Sequence, residues 1–144
     1  MMGQKTLLLL LSLLAVLEMA SALGFYYGRS MPGSPYNISR TDPRIQKVVL
    51  DATFTFNNQS NDAYLFKPYA IYRAQRQVVK GVRYIVDFEI SRTVCRKRDS
   101  NHNDLPNCDF QPEGRLHQTF RCHLEVWVIP WRKESITQVF FCQS

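Results

Sequence analysis

Cysteine is absent before Cys95 in this 144-residue chain, and all four, Cys95, Cys108, Cys122 and Cys142, fall in its last third. No Cys-x-x-Cys or His-x-x-x-His spacing accompanies them, which argues against a zinc site built on His117, Cys122 and His123. An even cysteine count leaves no thiol over for a nucleophile. Histidine is scarce, and His102, His117 and His123 have no serine or carboxylate at a catalytic spacing. Asp87 and Glu89 share one face of a strand-like run, but ordinary surface charge accounts for such a pair more simply than acid-base chemistry. Acid is in deficit, 12 Asp and Glu against 18 Lys and Arg, giving a net charge of +6. No internal repeat, low-complexity tract or nucleic-acid motif appears. No cofactor or metal is expected, and the chain does not read as an enzyme.

The longest apolar run, Leu7 to Leu17, is interrupted by Ser12 and closed by Glu18, too short to span a bilayer comfortably. With Lys5 before it and Ala20-Ser21-Ala22 after it, residues 1–22 have the layout of a secretory signal peptide. A secreted, extracellular destination follows, where paired cysteines oxidise. Four cysteines allow three connectivities; joining neighbours, Cys95 with Cys108 and Cys122 with Cys142, needs least chain rearrangement. Each such loop would contribute about 3 kcal/mol by restricting the unfolded chain. The sequons at Asn37 and Asn58 suit a glycosylated secreted protein. With 45% hydrophobic and 12% aromatic residues, the chain can fill one core.

Residues 23–41 hold glycines and prolines without sustained periodicity and read as a flexible arm. Residues 42–144 read as one domain. Asp42-Pro43 matches an N-cap with proline at the first helical position. Ile45, Val48, Val49, Ala52 and Phe56 follow at helical spacing, and the turn formers from Asn57 to Asp62 should end the helix. Strand-like runs follow at 64–77 and 82–95, then from Leu116 to Val128 and from Ile136 to Cys142. Val82, Tyr84, Val86, Phe88 and Ile90 alternate with polar residues, as do Leu116, Phe120, Cys122, Leu124, Val126 and Val128. Between them, 96–114 reads as a charged loop pinned by cysteines. One helix over an antiparallel sheet is an α+β layer.

Where the first two strands meet stands Gln77-Val78-Val79-Lys80-Gly81. Gly81 permits a tight reversal that pushes Val78 and Val79 into solvent. Five residues alone would pass for an ordinary turn. In company with the signal-like leader, the proline-capped helix, the later cysteines and the Pro130-Trp131 turn, however, the chain resembles a type 2 cystatin from about Gly33 to Cys142. Gln77, Val79 and Gly81 meet that family's QxVxG pattern, Pro130 and Trp131 its Pro-Trp, and Gly33 its amino-terminal glycine. Details at Asn57 to Asp62, Phe66-Lys67 and Val79-Lys80-Gly81 are most similar to the family's leukocyte member, whose extra cysteines are missing.

The resemblance implies a cystatin-like fold, one long helix packed across a five-stranded antiparallel sheet, and inhibition of papain-like cysteine proteases of the cathepsin type. Gly33, the hairpin Gln77 to Gly81 and Pro130-Trp131 would form one protease-binding edge. Met31 and Pro32 would then lie along the substrate side of the cleft. Ser60-Asn61-Asp62 resembles the segment through which some type 2 cystatins inhibit legumain, with Asn61 presented to that protease; a plain helix-ending turn fits it equally well. A monomer is expected, with a domain-swapped dimer open to it through the hairpin. Two rivals stand beside this reading. One is a cystatin fold without inhibition; the other is a basic secreted binding or antimicrobial protein using Arg92, Arg96, Lys97 and Arg98.

Overall fold

The computed structural model describes residues 33–144; the expected signal peptide and residues 23–32 of the expected arm lie outside the described residues. Residues 35–144 form one compact unit. Its helix, α1 (Pro43–Gln59), begins where the sequence places it: Asp42 Oδ1 accepts from the Arg44 N–H at 2.9 Å, and Pro43 occupies the first turn. The Arg44 side chain, then its backbone N–H, hold the Asp42 carboxyl down at about 2, so the cap stays charged in all but strong acid. Ile45, Val49, Ala52, Thr53 and Asn57 are buried, one stripe at helical spacing.

The sheet is a meander in the order β1 (Tyr36–Asn37), β2 (Tyr64–Val79), β3 (Gly81–Arg96), β4 (Thr119–Ile129) and β5 (Glu134–Gln143), every pair antiparallel. This is the α+β architecture expected above. Tyr84, Val86, Phe88 and Ile90 are buried together with Ile45, Val49, Cys122, Leu124 and Val126 in one core cluster. Each such side chain contributes about 1.5–3 kcal/mol for the larger hydrophobes. Phe56, Phe66 and Phe120 close one end of that core, their ring centroids 5.1 to 5.4 Å apart. Pro68 is tolerated inside β2 because β1 pairs only with Gln75 and Arg76, leaving the other edge of the strand open at Pro68.

Three expectations need correction. The edge strand β1 lies inside the segment read as an arm: Tyr36 and Asn37 pair with Arg76 and Gln75, a two-residue element too short to show alternation. Leu116, expected in the buried row of β4, is 48% exposed, because that strand starts only at Thr119. Asn57, read as a helix stopper, is buried inside α1 and acts as a cross-link. Its amide donates to the Phe66 carbonyl at 2.9 Å and accepts from the Phe66 N–H at 2.8 Å, pairing with β2 as a strand residue would. The loop 97–118 is also more ordered than its charge suggests. It contains a 3-10 helix, His102–Asn107, whose Leu105 is buried, and a bridge from Phe110 to Thr93.

Candidate functional site

At the tip of the β2–β3 hairpin, Val78 lies opposite Val82 and Val79 opposite Gly81, with Lys80 at the apex. Gly81 has φ 100°. A Cβ there would stand 2.6 Å from the Val128 carbonyl oxygen and 2.9 Å from Trp127 Nε1, so both the backbone angle and the space demand glycine. The reversal leaves Val78 51% and Val79 41% exposed. Gln77, by contrast, is turned to the sheet, its Oε1 accepting from Arg83 Nη1 at 3.0 Å.

The second element follows β4. Ile129 is buried and anchors the chain. Pro130–Arg132 then makes one 3-10 turn, closed by Lys133, which adopts φ 51° and donates its N–H to the Pro130 carbonyl at 3.1 Å. Trp131 is left 62% exposed. The pairing of Val82 with Val128 carries the hairpin tip and this turn to the same end of the sheet. Trp127 ties them: its indole Nε1 donates to the Lys80 carbonyl at 2.7 Å. Sequence reasoning missed Trp127. The available signal was an aromatic on the wet face of β4, two residues before the buried Ile129. Gly33 has φ 93° and belongs to the separate unit that ends at Ser34.

Asn61 lies far from this edge. The pair Tyr64–Arg96 stands at the opposite end of the β2–β3 ladder from Val79–Gly81, a 16-residue strand away, roughly 50 Å along the chain. Its loop is braced on both sides. Asp62 pairs with Arg92 and accepts from the Tyr64 N–H at 2.9 Å, while Lys97 Nζ donates to the Ser60 carbonyl at 2.6 Å. Asn61 itself is exposed. Both sequon asparagines are exposed as well; Asn37 Oδ1 accepts from Gln75, and Asn58 Oδ1 lies 3.3 Å from His102 Nε2.

The wet face of the sheet carries a charge ladder. Arg73 pairs with Asp87 at 2.7 Å, His123 lies between Asp87 and Glu125, and Arg83 pairs with Glu125. Burial by itself lowers the His123 pKa, but hydrogen bonds to Asp87 and Glu125 outweigh it and the net shift is upward. Asp87 and Glu89 are thus structural partners, Glu89 accepting from the Tyr72 hydroxyl. The disulfides are Cys95–Cys108 and Cys122–Cys142, so Cys122 offers no thiolate to a metal. No free cysteine occurs among the described residues, and none of their helices is long and apolar enough to cross a membrane.

A cystatin domain matches residues 33–131. The chain belongs to the cystatin family. This cystatin is 42% identical to mouse cystatin-F over 112 residues, which covers 78% of the chain and 76% of the relative. It is 32% identical to mouse cystatin-C over 135 residues, 94% of each. The crystal structure of dimeric human cystatin F superposes with a TM-score of 0.69 at 40% identity, over 80% of this chain and 90% of that one. The resemblance to a type 2 cystatin stated from sequence therefore holds, with four cysteines all engaged in the two bridges.

Proposed function

We propose that this cystatin is a secreted inhibitor of papain-like cysteine proteases of the cathepsin type, blocking the active-site cleft with the edge formed by Gln77 to Gly81 and Pro130-Trp131, aided by the arm at Gly33. Family membership supports a cysteine protease inhibitor and not an enzyme. The observation that carries the finer reading is the shared placement of three exposed apolar side chains, Val78, Val79 and Trp131, at one end of the sheet. A protease cleft is a concave, largely apolar surface, which such a ridge can fill. Tryptophan at the centre of an interface anchors it disproportionately. The hairpin resists cleavage because a reversal held at Gly81 cannot lie extended along a substrate cleft. Titration of active papain with the refolded mature chain tests this: stoichiometric, reversible loss of activity is expected, and Trp131→Ala should mainly speed dissociation. Unchanged papain activity at micromolar inhibitor would leave a cystatin fold without inhibition.

A second binding edge for legumain rests on the braced Ser60–Asp62 loop, which holds exposed Asn61 in place. Asn61→Lys should abolish legumain inhibition while sparing papain; equal loss against both would mean damage to the fold. A glycan at Asn58 would sit three residues from this edge, so deglycosylated protein should inhibit legumain at least as well. The basic-binding rival is less supported, because Arg92 and Lys97, two of its four cations, are held within the fold. Arg92 pairs with Asp62, Arg96 stacks over Tyr64, Lys97 bonds Ser60, and Arg98 lies 4.0 Å from Asp99. The inhibitor is read as a monomer, with hairpin opening as the route to a swapped dimer.

A further inference from the structure

Twelve of the sixteen Lys and Arg among the described residues have a partner within the fold. Arg44, Lys47, Arg73, Arg83, Arg92 and Arg98 stand in ion pairs. Arg40, Lys67, Arg76 and Lys97 donate to backbone or hydroxyl oxygens, and Arg96 and Arg121 lie over tyrosine rings. Only Lys80, Arg115, Arg132 and Lys133 make no side-chain hydrogen bond, ion pair or ring contact with another described residue. Three of those four stand on one edge: Lys80 at the hairpin apex, Arg132 and Lys133 directly after Trp131, all exposed. The same two loops carry one carboxylate, Glu134.

Among the described residues, these three side chains add no hydrogen bond or ion pair to the fold. Like charges brought onto neighbouring loops repel, and no internal partner offsets the repulsion. What they can act on is a charged surface that approaches. Such a patch, rimming an apolar ridge, raises the encounter rate with a surface of opposite sign and is screened over about 10 Å at 0.1 M salt. We infer that Lys80, Arg132 and Lys133 select, by electrostatic steering, those papain-like proteases whose cleft is bordered by carboxylates. The inference rests on the inhibitory reading above and adds partner class to it: the apolar ridge sets residence time, and the cations set how fast an acidic-rimmed target is found.

The test uses two papain variants carrying glutamate or glutamine at the same exposed positions bordering the cleft, with association followed by stopped flow. The full mature chain is expected to bind the glutamate form roughly 10-fold faster at low salt, an advantage that collapses at high salt. Lys80→Gln/Arg132→Gln/Lys133→Gln should lose that advantage and flatten the salt dependence. If circular dichroism shows this triple variant to be misfolded, the salt dependence of the wild-type chain on the two papains decides alone. Equal rates on both papains, with inhibition intact, would overturn the inference and leave the inhibitor. Equal rates together with salt-sensitive retention on heparin would overturn it in favour of a polyanion. Failure to inhibit either papain would overturn the inhibitory reading itself, and this inference with it.

Discussion

Trp127 Nε1 donates to the carbonyl oxygen of Lys80 at 2.7 Å, joining the apex of one loop to the strand that feeds the other. The bond spans the gap that Gly81 keeps open, since any Cβ there would meet the same indole nitrogen. Two loops far apart in sequence are thus tied into one edge.

Trp127→Phe keeps the ring and removes the donor. The Lys80 carbonyl then depends on water, at a cost of about 1 kcal/mol. Papain inhibition should weaken about fivefold through faster dissociation, and the melting midpoint should fall by a few degrees. The loosened tip should also raise the dimer fraction after heating, read by size-exclusion chromatography.

Gly81→Ala tests the tip itself. At φ 100° an alanine is strained by about 1–3 kcal/mol, and its Cβ would press on the Val128 carbonyl. Urea unfolding should show a loss of that size, with papain inhibition falling by a larger factor than in Trp127→Phe. A variant as stable and as inhibitory as wild type would mean that the hairpin is not held as described.

Asn57→Ala removes both hydrogen bonds to the Phe66 backbone in a site with no access to water. Leaving a buried N–H and C=O unpaired costs roughly 1–3 kcal/mol each, so a loss of about 2–6 kcal/mol in unfolding free energy is expected. The change lies on α1 and β2, away from the hairpin tip. Inhibition by the folded fraction should therefore persist.

The ladder on the wet face predicts a pH dependence. Facing His123 are Asp87 from β3, Glu125 on its own strand and the Phe141 ring from β5, with Arg73 and Arg83 on the far sides of the two carboxylates. Protonated, the ring donates to both carboxylates; neutral, it can donate to only one. Its folded pKa lies above the ordinary 6.5, so the native state holds the proton more tightly than the unfolded chain. That contribution is complete below about pH 6.5 and is lost as pH rises through the folded value. Unfolding free energy should accordingly fall between mildly acidic and alkaline pH, and His123→Gln should flatten the profile. A rise with pH over that window, specific to His123, would contradict the assignment.

Local chemistry determined much of this protein from the sequence alone. The Asp42-Pro43 cap, the period-two rows of β3 and β4, the valines flanking Gly81 and the neighbouring cysteines are all short-range patterns, set by backbone geometry and solvent within one element or one turn. Tertiary structure alone decided the rest, because it depends on which distant residues meet. Two-residue β1 exists only through its pairing with β2, and Asn57 changes from helix stopper to cross-link only because the Phe66 backbone lies beside it. The Val82–Val128 register likewise brings Trp127 to Lys80 and carries Lys80, Arg132 and Lys133 to the same end of the sheet. No periodicity along the chain encodes such meetings, since they are fixed by strand register and by the closing of the sheet over one helix.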